Sequence, residues 1–223
     1  MHRTREGARV SVRYYLYISD AKINMMLPQI DASWSRKRVT EFGVDLKVAS
    51  AKRSVEDAGA GGDRIARLER VVRHLEDHGD LGDVDEPGQY VHGVLPMQWG
   101  TLSNADGVYF GGRSERTIVG LGGSTAHLLG AVAGEPPART AITSSLLPVL
   151  IDQLTTLADG DGAASHDHLA TVVRAHATLR GPAQTVEFVA KRLLYGPHPY
   201  PELAPRDDMT VLLASPLYVA LVD

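Results

Sequence analysis

Apolar residues recur along this chain in two rhythms, alternation and spacings of three and four, and the two predict different elements. Val12 to Ile18 is nearly all apolar and rich in aromatic and β-branched residues. Such a run suits a strand covered on both faces, so it predicts a central strand. Ser19-Asp20 then caps a short helix from Ala21 to Leu27, which Pro28 ends. Residues 41–49 alternate, with Phe42, Val44, Leu46 and Val48 on one face, and predict a half-buried strand. Gly59-Ala60-Gly61-Gly62 reads as a break with Asp63 as the next cap. Ile65, Leu68, Val72 and Leu75 follow at helical spacing, and Gly79 stops that helix.

A second β region covers residues 89–122. Tyr90 to Leu95 and Met97 to Leu102 predict one long strand interrupted by a bulge at Pro96. Asn104-Ala105-Asp106-Gly107 predicts a turn. Val108-Tyr109-Phe110 and Thr117 to Leu121 are further strands around the polar turn 112–116, which together make an antiparallel meander. The last third reads as helical: one helix after Ser145 through Leu157, one after Ser165 through Leu179, and one over 184–195 with Val186, Val189 and Leu193 inward. Pro197, Pro199, Pro201 and Pro205 mark a stiff loop. Met209 to Ala214 and Leu217 to Val222 are two buried strands separated by Ser215-Pro216.

Strands that cluster rather than alternate with helices predict an α+β fold. The expected architecture is a mixed, largely antiparallel sheet with a helical C-terminal third closed by a final strand. Residues 1–11 are polar and read as a flexible N-terminus, and residues 12–223 as a single α+β domain.

Composition narrows the function classes. The chain has 223 residues, 43% hydrophobic and 22% charged, which are ordinary globular values. The net charge of −4 gives no footprint for nucleic acid, and the basic cluster Arg36-Lys37-Arg38 is short. The absence of cysteine excludes disulfides, thiolate metal sites and cysteine catalysis. No apolar run approaches the about 20 residues that span a bilayer, and no secretion signal follows Met1. These features predict a cytoplasmic protein with no membrane association.

Chemistry concentrates in one segment. A strand runs into Gly120-Leu121-Gly122-Gly123-Ser124-Thr125-Ala126-His127, with a short helix starting at Ser124. Glycines admit a ligand to the backbone and helix N-termini suit anions, so Gly120, Gly122, Gly123, Ser124, Thr125 and His127 form a candidate anion or nucleotide site. A P-loop needs lysine where Gly123 stands, and the dinucleotide pattern needs glycine where Thr125 stands. A tight connection capped by Ser124 explains the same residues. Gly122 to Ala126 also approximates a nucleophile elbow, with Asp152 or Asp167 and His176 or His198 as partners.

Other candidates are weaker. Nine histidines include the pair His74 and His78, one helical turn apart, and His166 with His168 around Asp167. Neither follows a zinc-enzyme order, so no metal site is assigned. Tyr14, Tyr15 and Tyr17 beside Ser19-Asp20-Ala21-Lys22 read as packed rings with a helix cap, or as an aromatic ligand face. Trp34 and Trp99 are candidate partner anchors. No motif indicates a cofactor, and no residue is assigned as catalytic.

Three segments together, Tyr15 to Lys22, Val119 to Gly130 and Leu213 to Ala220, resemble an uncharacterised family of actinobacterial, Streptomyces-type proteins. The resemblance extends over nearly the whole chain. It implies a cytoplasmic bacterial protein of unknown function whose relatives occur beside signalling or biological-conflict genes, and it supplies no catalytic residues. The leading expectation is a non-enzymatic binding or interaction module, a sensor or adaptor of a regulatory or defence system. Its partner is another protein, with homo-oligomerisation left open. The alternative is an enzyme or small-ligand protein holding an anion or nucleotide at residues 120–127.

Overall fold

The computed structural model describes residues 13–30, 57–78, 81–102, 107–130, 154 and 167–222. Among these are seven strands: β1 (Tyr14–Ile18), β2 (Leu81–Gly82), β3 (Tyr90–Thr101), β4 (Gly107–Arg113), β5 (Thr117–Ser124), β6 (Gln184–Pro197) and β7 (Thr210–Leu221). Three α-helices accompany them: α1 (Asp20–Ile30), α2 (Asp57–Asp77) and α3 (His168–Thr178). The expected flexible N-terminus, Trp34, the cluster 36–38, the strand 41–49, Asp152 and His166 lie outside the described residues. So does the helix expected over 145–157, except Leu154, which is helical and buried against α3.

The strands close into a barrel. β7 pairs β5, β5 pairs β4, β4 pairs β3, β3 pairs β6, and β6 returns to β7. Closure leaves these five without a free edge, which satisfies their backbone groups internally. The β5–β7 pair is parallel and the other barrel pairs are antiparallel. β1 adds to β7 antiparallel, and β2 adds to β3 parallel. The β3–β4–β5 meander forms as the apolar runs and the polar turn between them predict.

The α+β expectation is corrected to a mostly β fold. Residues 184–195 are not a helix but most of β6, laddered to β3 over eight rungs and to β7 along its length. Val186, Phe188 and Ala190 point into the barrel, while Val189 packs outward beneath α1 and α2. Covering both faces removes alternation, and Val186, Val189 and Leu193 then imitate a helical stripe. The closing segment is one strand, not two, because Ser215-Pro216 lies inside β7. β1 is a flanking strand rather than a central one, since its ladder is to β7.

Helix limits also shift. α1 continues through Pro28 to Ile30, although proline there forgoes the bond to the Asn24 carbonyl; the helix ends within a turn of it, and Ile23, Met26 and Leu27 are buried. α2 starts at Asp57 and runs through the glycines expected to break it. Each glycine costs about 1 kcal/mol in a helix, not enough to end one whose Leu68, Val71 and Leu75 are buried. β3 passes Pro96 without a bulge, at the point where its neighbour changes from β6 to β4.

Three cores result. One fills the barrel, with Val91, Phe110, Leu121, Phe188 and Val219 among its members. A second lies between α1, α2 and the outer face of β6–β7. A third lies between α3 and the outer face of β4, β5 and β7. β7 explains the scheme: Leu212, Ala214 and Val219 face inward, Val211 and Leu213 face α3, and Tyr218 and Ala220 face α1 and α2.

Candidate functional site

The segments 15–22, 119–130 and 213–220 meet at one place, where β1 leads into α1, β5 ends, and β7 is irregular. Val189 pairs Tyr218 while Ala190 pairs Pro216, so Leu217 is an extra residue in β7. A bulge re-aims backbone groups out of a ladder. Here it presents two carbonyls to the start of α1: Ser19 N–H donates to Leu217 O at 2.8 Å, and Lys22 Nζ donates to Pro216 O at 2.7 Å. Ser215 Oγ donates to Gly122 O at 3.2 Å, and Leu129 N–H donates to Leu16 O at 2.9 Å.

The glycine-rich run is strand rather than loop. Gly120, Gly122 and Gly123 are buried in β5 and paired with β4. At Gly120 and Gly123 the missing side chains make room for tyrosine rings. A Cβ on Gly120 would meet Tyr109 Oη at 2.5 Å, and one on Gly123 would collide with the Tyr17 hydroxyl. A 3-10 turn, Thr125–His127, follows with Ser124 as its cap, its Oγ accepting from Ala126 N–H. The Ser124 backbone N–H and Ser19 Oγ donate to Tyr17 Oη, and burial pushes that phenol up to about 12 despite them. Ser124 therefore serves the fold through both its side chain and its backbone N–H.

The His127 ring stands edge-on to Tyr17 at 5.7 Å. Burial holds its proton affinity below the ordinary value, and the charges of Lys22 and Arg64 lower it further while Asp20 opposes them. Lys22 is half-buried, its amine donates to Pro216 O, and desolvation brings its pKa down to about 7. Arg64 reaches across from α2, donating to Ile18 O at 2.9 Å and to Asp20 at 2.6 Å. Its Nε is buried and has no partner among the described residues. Three basic groups thus face one carboxylate.

Sequence reasoning found His127 but not Lys22 or Arg64. Lys22 carried a signal, a cation three residues past Ser19, where a helix start normally places acids. Arg64 comes from a distant helix and carried none. Of the nucleophile-elbow partners, Asp167 Oδ1 caps α3 and His198 Nδ1 engages Tyr200 O at 2.9 Å, while His176 lies on α3 with its buried Nδ1 unpartnered among the described residues. His74 and His78 stack at 3.9 Å near the end of α2. Tyr14 is exposed, Tyr15 is edge-on to Tyr218, and Tyr17 joins the barrel core, so no common aromatic face forms. Trp99 packs on Phe110. Among the described residues, no group of His, Asp and Glu is placed to hold a metal, and no helix is long and apolar enough to cross a membrane.

A second polar assembly lines a cleft of about 290 Å³ between α2 and the barrel wall. Its floor is Glu187, which accepts two bonds from Arg13 at 2.7 and 2.9 Å, one from Tyr218 Oη at 3.0 Å and one from His92 Nε2 at 3.2 Å. Burial opposes ionisation of Glu187, but these donors outweigh it and hold the carboxyl below its usual range. A carboxylate so fully engaged ties β1, β3, β6 and β7 together and has little capacity left for a ligand.

A model of the family of unknown function DUF7019 matches residues 13–223, and the chain belongs to that family. No curated protein and no solved structure matches it.

Proposed function

We propose that this member of the DUF7019 family is a cytoplasmic binding module that holds a small carboxylate or phosphate where Lys22, Arg64 and His127 meet. The observation that carries the reading is the surplus of nitrogen donors there. Lys22, Arg64 and His127 interact with one another around the Asp20 carboxylate, and the buried Arg64 Nε has no partner among the described residues. Unpaired buried donors cost about 1–3 kcal/mol each, a cost an anion would recover. An anion would also return the Lys22 amine to its charged form, so binding near pH 7 takes up protons. The resemblance carried by segments 15–22, 119–130 and 213–220 supports an actinobacterial setting. It also supports a sensor or adaptor role, in which occupancy is passed to a protein partner.

The test is a thermal titration with phosphate at constant ionic strength, run on the wild type, Lys22→Met and His127→Asn. At a ligand concentration 100 times Kd, specific binding adds about 2.7 kcal/mol of stability. The wild type should gain that increment and both variants should lose most of it. Equal gains in all three would mean general salt stabilisation and would overturn the reading.

A further inference from the structure

The cleft between α2 and the barrel wall is lined by charges that the protein does not pair. We propose that it binds a free basic α-amino acid of the lysine type, with Arg73 taking the α-carboxylate, Glu76 the α-ammonium and Glu69 the side-chain cation. This site is separate from the one at Lys22, Arg64 and His127 and does not depend on it.

A helix laid on a sheet turns an apolar stripe toward it. α2 does so with Leu68, Val71 and Leu75, buried in the core it shares with α1 and the outer face of β6–β7. Its adjoining face does not close on the sheet and leaves the cleft of about 290 Å³. Leu68 and Val72 form the apolar part of the lining with the Tyr15 and Tyr218 rings, and the exposed Glu69, Arg73 and Glu76 stand on the helix side. Glu69 and Arg73 are four residues apart and Arg73 and Glu76 three, the spacings at which opposite charges pair along a helix. Neither pair forms, and none of the three side chains has an ion pair or hydrogen bond among the described residues. The sheet side is already satisfied, since Arg13, Tyr218 and His92 direct their donors to Glu187 at 2.7 to 3.2 Å. The uncompensated charges of the cleft are therefore those on α2, two negative and one positive.

The ligand that mirrors this set carries two cations and one anion. Counted whole, the lining holds Arg13 and Arg73 against Glu69, Glu76 and Glu187, a net charge of −1 with His92 neutral. A basic α-amino acid carries the opposite net charge, whereas a neutral amino acid lacks the second cation and a diamine lacks the anion. The order along α2 sets the pose. Arg73 and Glu76 lie within one turn and face the adjacent α-carboxylate and α-ammonium. Leu68 and Val72 lie toward the N-terminal end of this stretch, so the methylene stem runs that way and its terminal cation reaches Glu69. Glu69 and Glu76 are about 10 Å apart along the axis, a span that their own stems and the ligand's share. The volume lies at the small end of ligand pockets, about 300–1,000 Å³, which suits a single amino acid.

The full chain is titrated with L-lysine by isothermal calorimetry at constant ionic strength, alongside norleucine, which lacks the side-chain amine, and cadaverine, which lacks the carboxylate. Lysine should bind at least about tenfold tighter than either. Glu69→Gln should bring lysine down to the level of norleucine, and Arg73→Gln should bring it down to the level of cadaverine. Both residues are exposed on α2, so these substitutions leave the core intact, and the comparison of three ligands on the wild type needs no variant. Absence of binding by lysine, equal affinity for the three ligands, or unchanged lysine affinity in either variant overturns the proposal. Phosphate at the same ionic strength should leave lysine binding unchanged. Competition by phosphate would place the lysine carboxylate at Lys22 and Arg64 instead and would overturn the assignment to this cleft.

Discussion

Replacing Gly120 with alanine tests why a glycine-rich strand runs through this barrel. The new methyl carbon would lie 2.5 Å from Tyr109 Oη and 3.0 and 3.1 Å from ring carbons Cε2 and Cζ. The ring has nowhere to retreat. Tyr109 is fully buried, its hydroxyl lies 3.5 Å from Val172 O of α3, and its other edge lies along Gly111. Overpacking of this kind costs about 1–3 kcal/mol. Alanine recovers about 0.4–1 kcal/mol by restricting the unfolded chain, since Gly120 is not in the left-handed region. The net loss is roughly 1–2 kcal/mol, or about 2–8 °C in Tm at this chain length. Tyr109→Phe removes the closest atom and gives up only a long hydrogen bond, at a cost under about 1 kcal/mol. The double variant should therefore be more stable than the sum of the singles by about 1 kcal/mol in urea unfolding. A neutral or stabilising Gly120→Ala, or strict additivity, would show that the ring does not occupy the space over Gly120.

Other outcomes concern the two polar assemblies. Glu187→Ala strands Arg13 and the Tyr218 hydroxyl and should cost about 1–3 kcal/mol by urea unfolding; no loss would mean the carboxylate does not tie the strands. Because the folded state lowers the Glu187 pKa, its contribution is present above the usual carboxyl range. It is lost as pH falls through the folded value, so Glu187→Gln should flatten the acid side of a Tm-versus-pH curve. For Lys22 the folded pKa is also depressed, to about 7 from 10.5. Between these values the unfolded chain holds the extra proton. Stability from this group thus rises with pH over that window and falls as pH drops toward 7. Lys22→Met should remove that slope, and an unchanged slope would contradict the burial of the amine.

What the sequence disclosed and what it hid have the same cause. The β3–β4–β5 meander was legible because Val91, Leu95 and Met97 of β3 alternate with exposed or half-buried neighbours and polar turn residues separate the short apolar runs of β4 and β5. β6 was not, because Phe188, Val189 and Ala190 are buried consecutively, two toward the barrel and one beneath helices. β1 looked central because Tyr17 and Ile18 are both covered, yet the covers are the barrel interior and α1, not strands on either side. Local pattern records that a residue is buried, not by what. The glycines of β5 looked like a ligand cradle for a related reason. Their true neighbours, Tyr17 and Tyr109, lie in other strands, and nothing within 119–130 announces them. Of the candidate site, His127 was visible as a lone imidazole after a strand end. Lys22 was visible only as part of a helix start, and Arg64 became relevant through a contact 46 residues from Ile18.

The titration of Lys22 bears most directly on the site. Lysine side chains labelled with ¹³C can be followed by NMR from pH 5 to 11 (roughly the range over which a lysine between about 7 and 10.4 titrates), with and without phosphate. Lys22 should titrate near 7, apart from Lys37, Lys47, Lys52 and Lys191, and phosphate should move its midpoint upward. A Lys22 that titrates together with the other four, and that phosphate leaves in place, would contradict both the desolvated amine and the anion site built around it.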